Sequence, residues 1–294
     1  MTAIPRTPFQ KQLGRRKLKG HIFYALCLIA IVIALAMLGA LLYNVLSTGL
    51  SRLSWDFLTN FPSRFPERAG IQAALIGSIY VVGSAGIIAF TLGLGAAIYL
   101  EEYSNRNWYA RIIQINIANL AGVPSIVYGI LGLEIFVRFM DLGKSVLAGS
   151  LTLALLILPI IIIAAQEAIR AVPPSIREGG FALGATRWQV IWHLVLPYSF
   201  PGILTGVILA VSRALGETAP LLVMGALTFV PFAPDGPMSR FTVLPIQIFN
   251  WVSRPQEGFH VNAAAGIIVL LVLLLSMNAV AVFLRYKFQK KAQS

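Results

Sequence analysis

Six stretches of 20 to 30 residues are almost free of charge: about Ile22 to Leu46, Ile71 to Leu100, Ile115 to Phe136, Val146 to Ala165, Phe200 to Leu222 and Ala263 to Phe283. About 20 apolar residues is the length a helix needs to cross the hydrocarbon of a bilayer. Inside lipid every backbone N–H and C=O must find its partner within the protein, so runs of this length fold as helices. The expected fold class is therefore all-α, a polytopic membrane protein with six transmembrane helices. Composition agrees: the 294 residues are 57% hydrophobic and 12% charged, where a soluble domain carries about twice that charge. The second run would measure about 45 Å as one helix, so part of it is expected to leave the hydrocarbon. Its glycines Gly77, Gly83, Gly86, Gly93 and Gly95 read as points of close helix approach.

Charge orients the runs. With the N-terminus inside, the cytoplasmic segments hold fifteen Lys and Arg, six of them in residues 1–20 and others at Arg106, Arg111, Arg170, Arg177, Arg187 and Arg285. The outer segments hold seven, among them Arg52, Arg138, Lys144, Arg240 and Arg254. The positive-inside rule then puts both termini in the cytoplasm. The net charge of +12 is accounted for by membrane flanks rather than by nucleic acid. The first run is too long for a cleaved signal peptide and reads as a retained span.

Catalytic and metal chemistry find little support. Cys27 is the only cysteine, which excludes a disulfide framework and a cysteine metal site, and His21, His193 and His260 lie far apart. Gly143-Lys144-Ser145 has the end of a P-loop, but Arg138 stands where its first glycine belongs. No nucleophile–base constellation stands out, so the chain is not expected to be an enzyme or to hold a cofactor or metal. Glu134 reads as an interfacial carboxylate.

One span carries charge. Arg213 and Glu217 are four residues apart in Ser212-Arg213-Ala214-Leu215-Gly216-Glu217-Thr218-Ala219-Pro220, a spacing that puts both on one helix face. Ionisable groups in a span are costly and face a pathway or a partner charge. The pair is either a self-neutralising structural unit or a pathway site whose arginine fork fits an oxyanion. Pro220 disturbs the helix just beyond.

A polar stretch, Glu178 to Pro197, separates the fourth and fifth runs. Ile176 to Leu183 can form about two helical turns, too few to be stable alone in water. Gly184 suits the left-handed position that ends a helix, and Pro197 starts or kinks the next one. Glu178, Gly179, Gly180, Gly184, Leu196 and Pro197 resemble the coupling motif of ABC importer permeases, with Gly-Gly where alanine is commoner. The run from Ser212 to Leu221, the run Gly122-Val123-Pro124-Ser125-Ile126-Val127-Tyr128-Gly129 and Glu102-Tyr103-Ser104 are similar to the PstA family of phosphate permeases, a resemblance covering about residues 70–285.

That resemblance implies a type I ABC importer permease fold. Its expected divisions are a basic cytoplasmic tail (1–21), a first transmembrane helix and outer loop (22–70), a permease domain (71–284) with its coupling helix near 175–187, and a second basic tail (285–294). It implies a multi-pass protein of the bacterial inner membrane that translocates phosphate by alternating access, with Arg213 and Glu217 on the substrate pathway. Its expected partners are a PstC-like permease, two PstB-like ATPase subunits that bind ATP and Mg, and a PstS-like extracytoplasmic phosphate-binding protein. Glu178, Gly179, Gly180 and Gly184 would couple the chain to the ATPase. The Pro-rich segment 225–262, with Trp251, reads either as an interfacial belt or as a docking surface for that binding protein. Rival readings are a permease for molybdate or sulfate, a secondary transporter that uses Glu217 for protons, and a membrane enzyme.

Overall fold

The computed structural model describes residues 8–104, 108–226 and 229–293; Arg6 and Arg106, both used in the charge count, lie outside them. Among the described residues the fold is helical. Five helices are long and apolar enough to cross a bilayer, and a bent helix pair supplies the sixth crossing when counted as one span.

The core is built on α3 (Gln72–Ile98), α6 (Val146–Arg170) and α9 (Leu196–Gly216). α6 is the central helix, with two thirds of its apolar window buried. Small residues set these contacts: a side chain at Gly93 would meet Ile161, one at Gly202 would meet Ala168, and one at Gly86 would meet Val211. Gly83 and Gly95 meet nothing, so only part of the glycine set in α3 serves packing within this chain. The first helix, α1 (Pro8–Gly49), is exposed along nearly its whole described length. It meets α12 (Glu257–Gln293) at its last turns, where Val45 and Gly49 are buried and Gly49 abuts the backbone of Ala264.

Two expected spans are not straight helices. The run from Ile115 to Phe136 is divided into α4 (Trp108–Ala121) and α5 (Ser125–Gly132, continued by a π-helical stretch to Phe139), which meet at 103°. The cause is Gly122-Val123-Pro124: proline has no N–H to donate and pushes the residue before it out of the helical region. The Tyr128 hydroxyl donates to Leu120 O across the bend at 2.7 Å and fixes it. The fifth helix begins earlier than expected, in α8 (Arg187–Val190), and runs through a π-turn at Ile191–Val195 into α9. The wider π-turn accommodates the missing N–H of Pro197 without breaking the rod. The same helix ends at Gly216, before Glu217. In a continuous helix Pro220 would have to bond Gly216 O and its ring would strike that carbonyl. The chain instead breaks at Glu217-Thr218 and restarts as α10 (Ala219–Met224), where proline in the first turn leaves no bond unmade.

Within the segment 225–262 Trp251 is a core residue and not part of an interfacial belt, while Met238, Phe249 and Val252 stay exposed. Phe241 to Ile248 are all buried, and Trp251 is buried against Phe57 of α2 (Trp55–Thr59) at 5.8 Å. The strand-like piece crosses α3 so closely that a side chain at Gly77 would collide with Thr242 O. Ser78 Oγ accepts the N–H of Leu244, the first residue of α11 (Leu244–Val252), at 2.8 Å. A bridge between Ser145 and Arg240 ties the same segment to the start of α6.

Candidate functional site

Two of the runs singled out in the sequence come together near the middle of the bundle. Val211 of α9 packs at Gly86, halfway along α3, and Arg213 follows half a turn later. From the break after Gly216, α10 lies on α5, and a Cβ at Gly129 would stand 2.7 Å from the backbone of Pro220. Thus Gly129 lets two backbones touch, and the interrupted helix α4–α5 meets the interrupted helix α9–α10. Three residues on, Gly132 abuts Thr152 of α6, and Thr152 Oγ1 lies 3.4 Å from Met224 Sδ. Broken backbone at membrane depth is tolerated where protein covers it or where it lines a cavity.

Arg213 and Glu217 are in contact, but not as two residues of one helix. Arg213 sits in the last turn of α9, and Glu217 is the extended residue that closes it, with φ −76° and ψ 123°. Arg213 Nε donates to Glu217 Oε1 at 3.3 Å. The glutamate side chain is 17% exposed and the arginine 51%. Among the described residues nothing bonds the two terminal guanidinium nitrogens of Arg213. Its fork is held from one side and open on the other, the geometry in which arginine grips a planar or tetrahedral oxyanion. Beside it, Ser212 Oγ donates to Asn278 Oδ1 at 2.5 Å and fastens this part of α9 to α12. Glu134 is spent on Arg138 in an exposed pair.

At one end of the bundle lies the polar stretch. It forms α7 (Pro174–Ala182), a turn at Gly184 with φ +80°, and the capping box Thr186–Gln189 that starts α8. Glu178, Gly179, Phe181 and Leu183 are exposed, and Leu183 is 90% so. Gly180 is the residue of α7 that is buried, and a side chain there would press on Leu194 and Val190. The sequence motif thus divides: Gly180 packs inward, Gly184 makes the turn, and Glu178 and Gly179 face outward with nothing near the Gly179 Cβ position.

The family pattern described as the binding-protein-dependent transport system inner membrane component matches residues 89–293. This chain belongs to that permease family. The permease is 34% identical over 284 residues to the phosphate transport system permease protein PstA of Yersinia pestis, covering 96% of this chain and 94% of that protein. It is 32% identical over 277 residues to PstA of Haemophilus influenzae, covering 94% and 96%. A bacterial alginate ABC transporter in complex with an alginate-bound periplasmic protein has a chain of the same fold, with a TM-score of 0.61 at 16% identity, covering 93% of the permease and 98% of that chain. The permease is accordingly a multi-pass inner-membrane subunit with the fold of type I ABC importer permeases.

Sequence reasoning missed a set of contacts beside α7. The chain closes α3 with a π-turn, Tyr99–Tyr103, and its two adjacent glutamates reach Arg170 and Arg177 of the permease. The signal was present: among only eleven acids, two stand together at the same membrane face as three arginines.

The close approach at Gly129 gives a direct test of the site's architecture. Gly129→Val is expected to destabilise the permease by about 1–3 kcal/mol, the usual cost of forcing bulk into a filled contact. Thermal unfolding in detergent checks it; a Tm equal to that of the natural protein would show that α5 and α10 do not touch.

Proposed function

We propose that this chain is a transmembrane permease subunit of an ATP-driven phosphate importer. The observation that carries the reading is the open guanidinium fork of Arg213, near the middle of α3 and beside two interrupted helices. Phosphate would pass this fork while Glu217 holds it in place. Relatives at 32% and 34% identity, named for phosphate transport, support that substrate over molybdate or sulfate. Both termini and α7 would lie in the cytoplasm, as the excess of Lys and Arg on those segments favours.

The exposed apolar side chains Phe181 and Leu183, with Glu178, would seat α7 in a separate ATPase subunit. Gly179, Gly180 and Gly184 would shape that contact. Two such PstB-like subunits, a PstC-like second permease and a PstS-like binding protein would complete the transporter. ATP binding and hydrolysis outside this chain would drive the spans between outward-open and inward-open states.

The test is reconstitution of all four components in vesicles with labelled phosphate. ATP-dependent uptake that excess molybdate and sulfate fail to suppress is expected. This chain alone is expected to take no label from a photoreactive ATP analogue. Uptake driven by a proton gradient in vesicles holding this chain alone, or suppression by sulfate at equal concentration, would overturn the reading.

A further inference from the structure

We propose that the π-turn Tyr99–Tyr103 is the receiver through which α7 moves α3, and that Arg177 and Glu102 form its principal joint. The proposal rests on the coupling role given to α7 above. Three consecutive residues of this turn each hold one arginine of the α6–α8 segment. Glu101 takes Arg170 through two nitrogens, Nη2 to Oε1 at 2.5 Å and Nε to Oε2 at 3.3 Å. Glu102 takes Arg177, with Nη2 and Nε at 2.9 Å and 3.1 Å from Oε1. Tyr103 lies under Arg187, whose Cζ is 5.3 Å from the ring centroid.

Arg177 does more than pair. Its Nη1 donates to Val172 O at 2.6 Å and its Nη2 to Ile169 O at 2.8 Å. One side chain thereby joins α7 to the end of α6 and to the end of α3. It is also the best shielded of these pairs, with side chains 23% and 10% exposed. Shielding strengthens such bonds and makes their geometry stiff.

The path of force follows from connectivity. α7 is joined by a four-residue turn to α8, and Gly180 rests on Val190 and Leu194. A push on α7 therefore reaches α8 and α9 along the chain itself. α3 is far away in sequence; its end shares an apolar cluster with Ile176, Val190 and Val195, and these charged and aromatic contacts tie it to the polar stretch beyond that cluster. If α3 must move together with α9 for the pathway to change its opening, the joint adds a directional tie at the α7 end to the packing of Val211 at Gly86. The adjacent order of Arg177 and Glu178 sets the joint and the outward-facing motif acid on neighbouring positions of one short helix.

The experiment uses the whole reconstituted complex and reads phosphate taken up per ATP hydrolysed. Glu102→Gln and Arg177→Met are expected to keep ATPase subunits bound and hydrolysis within about twofold. Their uptake per ATP is expected to fall by about tenfold or more, Arg177→Met further than Glu102→Gln because it also gives up the bonds to Val172 O and Ile169 O. Arg177→Lys should fall less, since it keeps the pairing charge and loses the fork. In a Cys27→Ser background, Glu102→Cys with Arg177→Cys should lose coupling and regain it when a short thiol-reactive cross-linker joins the two positions. A purely structural role predicts loss of assembly with the ratio unchanged, and no gain on cross-linking; either result overturns the proposal, as does an unchanged ratio in Glu102→Gln and Arg177→Met. Failure of the coupling reading itself would show differently, as no ATP-dependent uptake by the natural complex.

Discussion

Phosphate uptake by a complex carrying Arg213→Met together with Glu217→Leu is expected to fall to background. The pair invites the opposite forecast, because a neutral apolar pair avoids the cost of desolvating two ions and such replacements are often mild or even stabilising. The geometry of the pair favours the larger loss. Glu217 engages Nε alone, and the terminal nitrogens of Arg213 bond nothing among the described residues. An arginine serving only to neutralise a neighbour would spend its fork on that neighbour. Hydrogen bonds to charged groups are worth about 1.5–3 kcal/mol each, so losing two to a phosphate costs at least a hundredfold in affinity. Arg213→Lys should also be impaired, since an ammonium keeps the charge without the fork. Glu217→Gln should be the mildest, because an amide oxygen still accepts from Nε. The measurement is uptake at matched subunit levels; near-normal transport by the double variant would leave the pair a structural one.

Gly184→Leu is expected to separate ATP hydrolysis from transport, as is Glu178→Lys. The glycine has φ +80°, a conformation that costs an ordinary side chain about 1–2 kcal/mol. A leucine there favours another turn and re-aims α7, whose exposed face carries Phe181 and Leu183. A change of that size alters the population of the working turn by about 5–30-fold. Glu178→Lys leaves the backbone alone and reverses the charge on the exposed surface. Both variants should insert normally, since neither position is in the bundle core. Uptake and hydrolysis measured together check this, and normal uptake by both would remove α7 as the docking element.

Most of the architecture could be read from the chain because bilayer physics leaves few choices. Long apolar runs became helices, and the segment around Gly184 turned where a glycine was needed. What resisted reading was the fate of prolines inside apolar runs. Pro124 bends its span by 103°, Pro220 ends a helix four residues upstream, and Pro197 and Pro201 leave theirs continuous. Local sequence announces the missing N–H in each case, but tertiary packing decides between a π-turn, a bend and a break. Arg213 and Glu217 were legible as a pair from their spacing, though the break that frees Glu217 from the helix was expected at Pro220, just beyond the pair. Trp251 misled because aromatic residues in a Pro-rich outer segment resemble a membrane belt, and burial against Phe57 depends on residues 194 positions away in the chain. Arg170 and Arg177 entered the reading as topological markers, and their glutamate partners are long-range contacts that no periodicity reveals.

The two ends of the bundle are fastened by different forces, and ionic strength should tell them apart. Beside α11 the fastening is buried: Thr242 lies across Gly77, Ser78 bonds Leu244, and Trp251 packs on Phe57. Beside α7 an apolar cluster around Val172, Val190 and Val195 is joined by ion pairs, and the Arg170–Glu101 pair leaves the arginine 54% exposed. Exposed charges feel a screening length of about 8 Å at physiological salt and about 3 Å at 1 M. Added salt therefore weakens the exposed Arg170–Glu101 pair while the α11 end is untouched, and what freedom the molecule gains is at the face where the work of the ATPase would arrive.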